Sequence, residues 1–146
     1  SIMSTESFRI RQVNYSADIA LLRQIRESVF VKEQNVPIEL EWDEMDPDCE
    51  HVLALDGLGN PIGTGRLTPE QTIGRMAVLK QWRGKGVGDA ILIHLINIAK
   101  HKQLTSVSLH AQVSAMGFYL KHGFSAYGPT YLEAGIVHQS MKLSLT

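Results

Sequence analysis

The stretch Arg83-Gly84-Lys85-Gly86-Val87-Gly88 places glycine at every second position, sets two cations beside them, and leads directly into an apolar run. Without Cβ atoms, successive backbone N–H groups can converge on one point. A helix beginning here would add its unpaired N-terminal donors and the positive end of its dipole. Together these make a site for a phosphate-like anion, with Lys80 and Arg75 adding charge nearby. A mobile glycine linker would not run straight into a buried helix. The pattern G-x-x-x-x-G-K-[ST] is absent, which excludes a P-loop. A dinucleotide site needs G-x-G-x-x-G and an acid about 20 residues later. Here that acid would fall between Ala90 and Leu132, where there is no Asp or Glu.

Charge is segregated elsewhere as well. Eight acids (Glu33, Glu39, Glu41, Asp43, Glu44, Asp46, Asp48, Glu50) follow one another with no Lys or Arg between them. Such a run is ordinarily a solvated loop, but a separation this complete predicts that different parts of one domain handle opposite charges. The six histidines offer no metal site at i, i+4 spacing with a third nearby ligand. A single cysteine, Cys49, excludes an internal disulfide and fits a reducing compartment.

The elements that must hold these groups can be read from periodicity. Residues 8–13 alternate as a half-buried strand, and a helix follows with Ile19, Leu22, Ile25 and Val29 on one face and Ser16 as N-cap. Residues 51–56 and 61–67 form a hairpin through Asp-Gly-Leu-Gly-Asn, and 72–79 form a further strand. A largely apolar helix spans 89–103, a strand 106–111, a short helix 114–123, and strands at 124–128 and 136–145 close the chain. This order, with helices after the first, fourth and fifth strands, predicts an α/β (α+β) fold with a mixed sheet rather than a doubly wound one.

Length and composition predict a single domain over 1–146, with 44% apolar and 20% charged residues. No apolar run has the length of a membrane span, and the N-terminal segment lacks a secretion-signal layout, so a cytoplasmic protein with no membrane partner is expected. A net charge of −1 argues against nucleic acid. An apolar strand edge would be covered by the chain's own tail or by a second copy in a homodimer.

The segment "MAVLKQWRGKGVGDAIL", with its Arg-x-x-Gly-x-Gly core, resembles the acetyl-CoA diphosphate turn of the GCN5-related N-acetyltransferases. "LHAQVSAMGFYLKHGF" is similar to that family's helix and strand, and the element order agrees. "VFVKEQNVPIELEWDEMDPDCEH" and "LEAGIVHQSMKL" resemble the small bacterial ElaA/YjcF-like branch, so the resemblance covers nearly the whole chain. It implies a mostly antiparallel sheet splayed between strands four and five, with helices on both faces. The pantetheine arm would pair there with Met76, Ala77 and Val78, one amide stabilising the thioester oxyanion. The diphosphate would sit on Arg83, Gly84, Lys85, Gly86, Val87 and Gly88, with Gln112 and Phe118 beside the cofactor and Met116 a core or pantetheine-packing residue.

The resemblance also implies that Tyr119 is the general acid for the departing thiolate. A phenol with an ordinary pKa of about 10 can protonate a thiolate at modest cost. Many members of that family carry an acid on the fourth strand, whereas this chain reads Thr72-Ile73-Gly74-Arg75. Glu33, Glu50 and His51 are the candidate bases in its place. His138 lies in the branch-like tail segment, where a lone histidine is ordinarily structural, while His110 and Gln112, at the end of the fifth strand, could face the same cleft. The implied activity is acetyl transfer from acetyl-CoA, without a metal, to a primary amine. The acidic run favours a cationic acceptor. The alternatives are an acyl-CoA-binding regulatory module without turnover and an enzyme like the acyl-homoserine-lactone synthases.

Overall fold

The computed structural model describes residues 7–33 and 46–146, with backbone alone for residues 31–33. Strand β1 (Phe8–Gln12) leads into helix α1 (Tyr15–Arg26), which widens into a π-helical segment over Glu27–Glu33. A hairpin of β2 (Glu50–Asp56) and β3 (Pro61–Leu67) is followed by β4 (Thr72–Val78). Helix α2 (Val87–His101), β5 (Ser106–Gln112) and the short helix α3 (Met116–Leu120) come next. The chain ends in β6 (Ser125–Ala126), β7 (Tyr131–Glu133) and β8 (Ile136–Ser144). One sheet joins the strands in the order β1-β2-β3-β4-β5-β8-β6, with β7 added against β8.

The cap of α1 falls two residues earlier than expected. Asn14 is the N-cap, its side chain accepting the Ala17 amide at 3.1 Å, while Ser16 lies inside the helix. Either residue type can cap, and the end of β1 decides which of them has extended backbone. The segment after Phe124 also departs from expectation. Only Ser125 and Ala126 pair there, and three further residues, Tyr131 to Glu133, form β7.

Alternate side chains of β2 serve two cores. Leu53 and Leu55 pack with Leu22, Ile25 and Val29 of α1, whereas Val52 and Ala54 belong with Ile91, Leu92 and Leu95 of α2. The period of two therefore distributes one strand between helices on opposite faces. On β3, α2 approaches so closely that a Cβ on Gly65 would lie 2.8 Å from Ile91 and 2.9 Å from Leu95.

β4 opens the sheet. It pairs in parallel with β5 only at Thr72↔Ser108 and Ile73↔Leu109. Its register with β3 shifts between Thr64 and Arg66, and Arg75 adopts φ +50°. This bulge inserts one residue and reverses the facing of the residues beyond it. Ile73 faces α2, yet Ala77, four residues later, joins the α1 core. Past Ile73 the two strands separate, leaving a wedge.

Candidate active site

A cavity of about 740 Å³ occupies that wedge. Gly74 to Val78 line one wall, His110 and Gln112 of β5 lie across from them, and Val29 and Phe30 of the π-helical segment contribute as well. With β3 on its other side, the stretch Met76–Val78 turns toward β5 an edge that has no strand partner among the described residues. Backbone donors and acceptors there can take an extended amide-containing ligand as a strand would.

The glycine turn closes one end. Gly84 and Gly86 have φ of +76° and +85°, where a Cβ is disfavoured. Gly86 is the N-cap of α2 and offers no side-chain cap to the helix. The first-turn amides are therefore available to an anion, which fits a diphosphate. Lys85 is exposed, whereas Arg83 bends back so that its Nε donates to the Val78 carbonyl at 3.0 Å. Arg83 thus fastens the turn to the end of β4. Gly88 faces the Phe118 ring, which a Cβ there would touch at 3.5 Å, an ordinary van der Waals contact.

Phe118 and Tyr119 of α3 line the same cavity. Tyr119 packs edge-on against Phe118 and Phe124, and burial pushes its phenol above the ordinary value. It therefore holds its proton through neutral pH, as a general acid must. The residues that follow α3 are tied to the first turn of α2 by Asp89, whose carboxylate accepts from His122 at 2.7 Å and from Lys121 at 3.0 Å.

The profile of the acetyltransferase (GNAT) domain matches residues 13–145. The chain belongs to the GCN5-related N-acetyltransferase family. It is 41% identical over 121 residues to the uncharacterized N-acetyltransferase YjcF of Bacillus subtilis, covering 80% of this chain and 86% of that one. The structure of an acyl-CoA N-acyltransferase from Pseudomonas aeruginosa superposes with a TM-score of 0.83 at 29% identity, over 94% of this chain and 99% of that one. Escherichia coli ElaA superposes with the same TM-score of 0.83 at 26% identity, again over 94% and 99%. The splayed sheet with helices on both faces is thus the GCN5-related fold, and the protein is an acyl-CoA-dependent acyltransferase.

Two of the three candidate bases of this acyltransferase, Glu50 and His51, lie away from the cleft. His51 is buried beneath α1, its Nε2 donating to the Asp46 carbonyl at 2.7 Å while Nδ1 faces Arg26 at 3.4 Å. Desolvation holds its pKa below the usual value, so it is a neutral structural ring rather than a base in contact with an acceptor. Glu50 points to the sheet margin, accepting from Gln12 at 2.6 Å and lying 3.6 Å from Lys102. Neither residue lines the cavity. The Glu33 side chain and residues 39–44 of the acidic run lie outside the described residues. Asp46, read as a loop acid, is instead buried, with Arg66 at 2.7 Å and Arg26 at 3.1 Å. Asp46, Cys49 and His51 come within 4.8 Å of one another, but two guanidinium groups on Asp46 make this an ion-pair centre unsuited to a metal cation.

A cluster that sequence reasoning reached only in part stands on the far wall. His110, Glu133 and His138 line the cavity, and Tyr131 bonds to His110 and stacks on His138. The two histidines were visible as isolated residues. Tyr131 and Glu133 were missed because β7 is three residues long. One signal was present: Glu133 is the residue that ends the acid-free stretch.

Proposed function

We propose that the protein transfers the acetyl group of acetyl-CoA to a primary amine on a cationic acceptor. The observation that carries this reading is the wedge itself. A free strand edge at Met76–Val78, an uncapped glycine turn and the Tyr119 phenol border one cavity. Met76, Ala77 and Val78 would hold the pantetheine arm. The amides from Arg83 to Gly88 would hold the diphosphate, and Phe118 and Gln112 would border the arm. The thioester supplies an activated acyl carbon. The chain's own groups position it, donate a hydrogen bond to its carbonyl oxygen, and deliver the Tyr119 proton to sulfur.

The cationic preference rests on charge at the cavity. Among the described residues, Glu133 is the carboxylate that lines it, while Arg75 and Arg83 lie on the β4 side. An amine-bearing cation is therefore drawn to the β7–β8 side, away from the arginines. Thiol release from acetyl-CoA, measured against polyamines, lysine peptides, aminoglycosides, aminosugars and amino acids, tests both parts. Amine-dependent release, fastest with a cationic acceptor, is the expected result. Tight acetyl-CoA binding without release would make the protein a binding module, and a best acceptor of net negative charge would overturn the charge argument.

A further inference from the structure

We propose that His138 is the catalytic base that takes the amine proton, with Glu133 stabilising the imidazolium that results. The proposal rests on the reading of the chain as an amine acetyltransferase. It is carried by the way the ring is held. Nδ1 of His138 lies 2.8 Å from the Ile136 carbonyl oxygen, which can only accept, so Nδ1 bears the hydrogen. In the neutral ring the lone pair is then on Nε2. Nε2 stands 4.0 Å from a Glu133 carboxylate oxygen, too far for a hydrogen bond but close enough to attract the ring once it is charged. The Tyr131 ring lies against the imidazole, centroids 5.9 Å apart and planes inclined by 23°. The Tyr131 hydroxyl is in turn hydrogen-bonded to Nδ1 of His110.

The fold places this ring where an acceptor must enter. His138 pairs with Gln112, the last residue of β5, and from there the chain turns directly into α3 and Tyr119. Base and acid candidates therefore border one cavity from adjacent elements. His138 is only 8% exposed, whereas the Glu133 side chain is 58% exposed and can pass protons to solvent. His110 is less suited to the role, because the Tyr131 hydroxyl, unlike a carbonyl, can donate to its Nδ1 and so occupy the one lone pair of the neutral ring.

Protons and electron pairs balance through the step. An ammonium acceptor gives one proton to Nε2 of His138, and water beside the exposed Glu133 carboxylate carries it from there to solvent. The amine nitrogen attacks the thioester carbon, the C–N bond forms, and the C–S bond breaks with its electron pair leaving on sulfur. Sulfur takes the Tyr119 proton. The surplus proton on nitrogen goes to His138 and returns through solvent to Tyr119. The sum is ammonium plus thioester giving amide, thiol and one released proton.

The test compares wild type with His138→Asn, His138→Ala and Glu133→Gln, using spermidine and an Nα-blocked lysine amide as acceptors. Asn keeps an N–H where Nδ1–H stands, so it preserves the bond to Ile136 while removing the base. The expected result is a loss in kcat of roughly 100- to 1000-fold for His138→Asn, with acetyl-CoA affinity by calorimetry unchanged. Imidazole added to His138→Ala should restore part of the rate, which a merely structural histidine would not allow. Glu133→Gln should lose a smaller factor, roughly 3- to 30-fold. A His138→Asn rate within about threefold of wild type, or no imidazole rescue of an impaired and folded His138→Ala, overturns the assignment while leaving the acetyltransfer reading standing. Wild-type protein that binds acetyl-CoA and acetylates neither amine overturns the reading and the base together.

Discussion

At the scale of single residues, Tyr119 and His51 show how environment decides between chemistry and structure. Both are ionisable and both were candidates, and burial acts on each against its charged form. For Tyr119 this keeps the proton on a phenol that lines the cleft. For His51 it keeps the ring neutral beneath α1, with its Nε2 proton given to a backbone carbonyl. Tyr119→Phe keeps the ring contacts with Phe118 and Phe124 and removes only the hydroxyl. Steady-state kinetics should therefore show kcat lowered by roughly 10- to 1000-fold with little change in acetyl-CoA affinity, the signature of a lost general acid. An unaltered kcat would return Tyr119 to packing.

At the scale of elements, the junction between β4 and α2 unites three local departures from regular structure. The Arg75 bulge frees a strand edge, Gly84 and Gly86 take positive φ, and α2 begins without a side-chain cap. Each departure costs stability, and together they expose backbone donors to one ligand. Gly86→Val should weaken acetyl-CoA binding by at least about tenfold, or ~1.4 kcal/mol, because a β-branched residue resists φ near +85° and crowds the anion. Lys85→Ala, at an exposed position, should cost no more than about 1 kcal/mol. Calorimetric titration of both variants checks the ordering. A larger loss for Lys85→Ala than for Gly86→Val would mean that side-chain charge, not backbone, holds the diphosphate.

At the scale of the whole molecule, the pH dependence of stability should separate into two windows. Desolvation lowers the pKa of His51 from 6.5, so the unfolded chain binds that proton more readily than the folded one. The stability gained is fully present above about pH 6.5 and is lost as pH falls through the lower folded value. Asp18, held by Arg11, and Asp89, held by His122 and Lys121, are lowered from 3.8 and lose their contributions only below about pH 4. Urea midpoints should therefore begin to fall first below about pH 6.5 and again in the carboxylate range. In His51→Gln, whose amide can still donate to the Asp46 carbonyl, the upper window should flatten while the lower one persists. A wild-type midpoint constant down to about pH 4 would refute the assignment of the upper window to His51.

Residue chemistry and spacing were enough for the glycine turn, the strand and helix order, and the Tyr119 helix, because each depends on local backbone preference or on one element's periodicity. The N-cap at Asn14 and strand β7 were missed for the converse reason: competing caps two residues apart and a three-residue strand carry too little local signal. The base lay further out of reach. Glu50 and His51 are neighbours of the acidic run in sequence, but β2 alternation sends His51 under α1, and Glu50 reaches Gln12 and Lys102 at the sheet margin. His138 and Glu133 meet only because a tight turn at Ala134 and Gly135, with φ of +53° and +78°, folds β7 back on β8. The width of the cleft depends on a bulge in β4, where one inserted residue changes which way every later side chain faces. Local pattern therefore determined the glycine turn and the element order, while long-range pairing and register decided which ionisable side chains share the cavity.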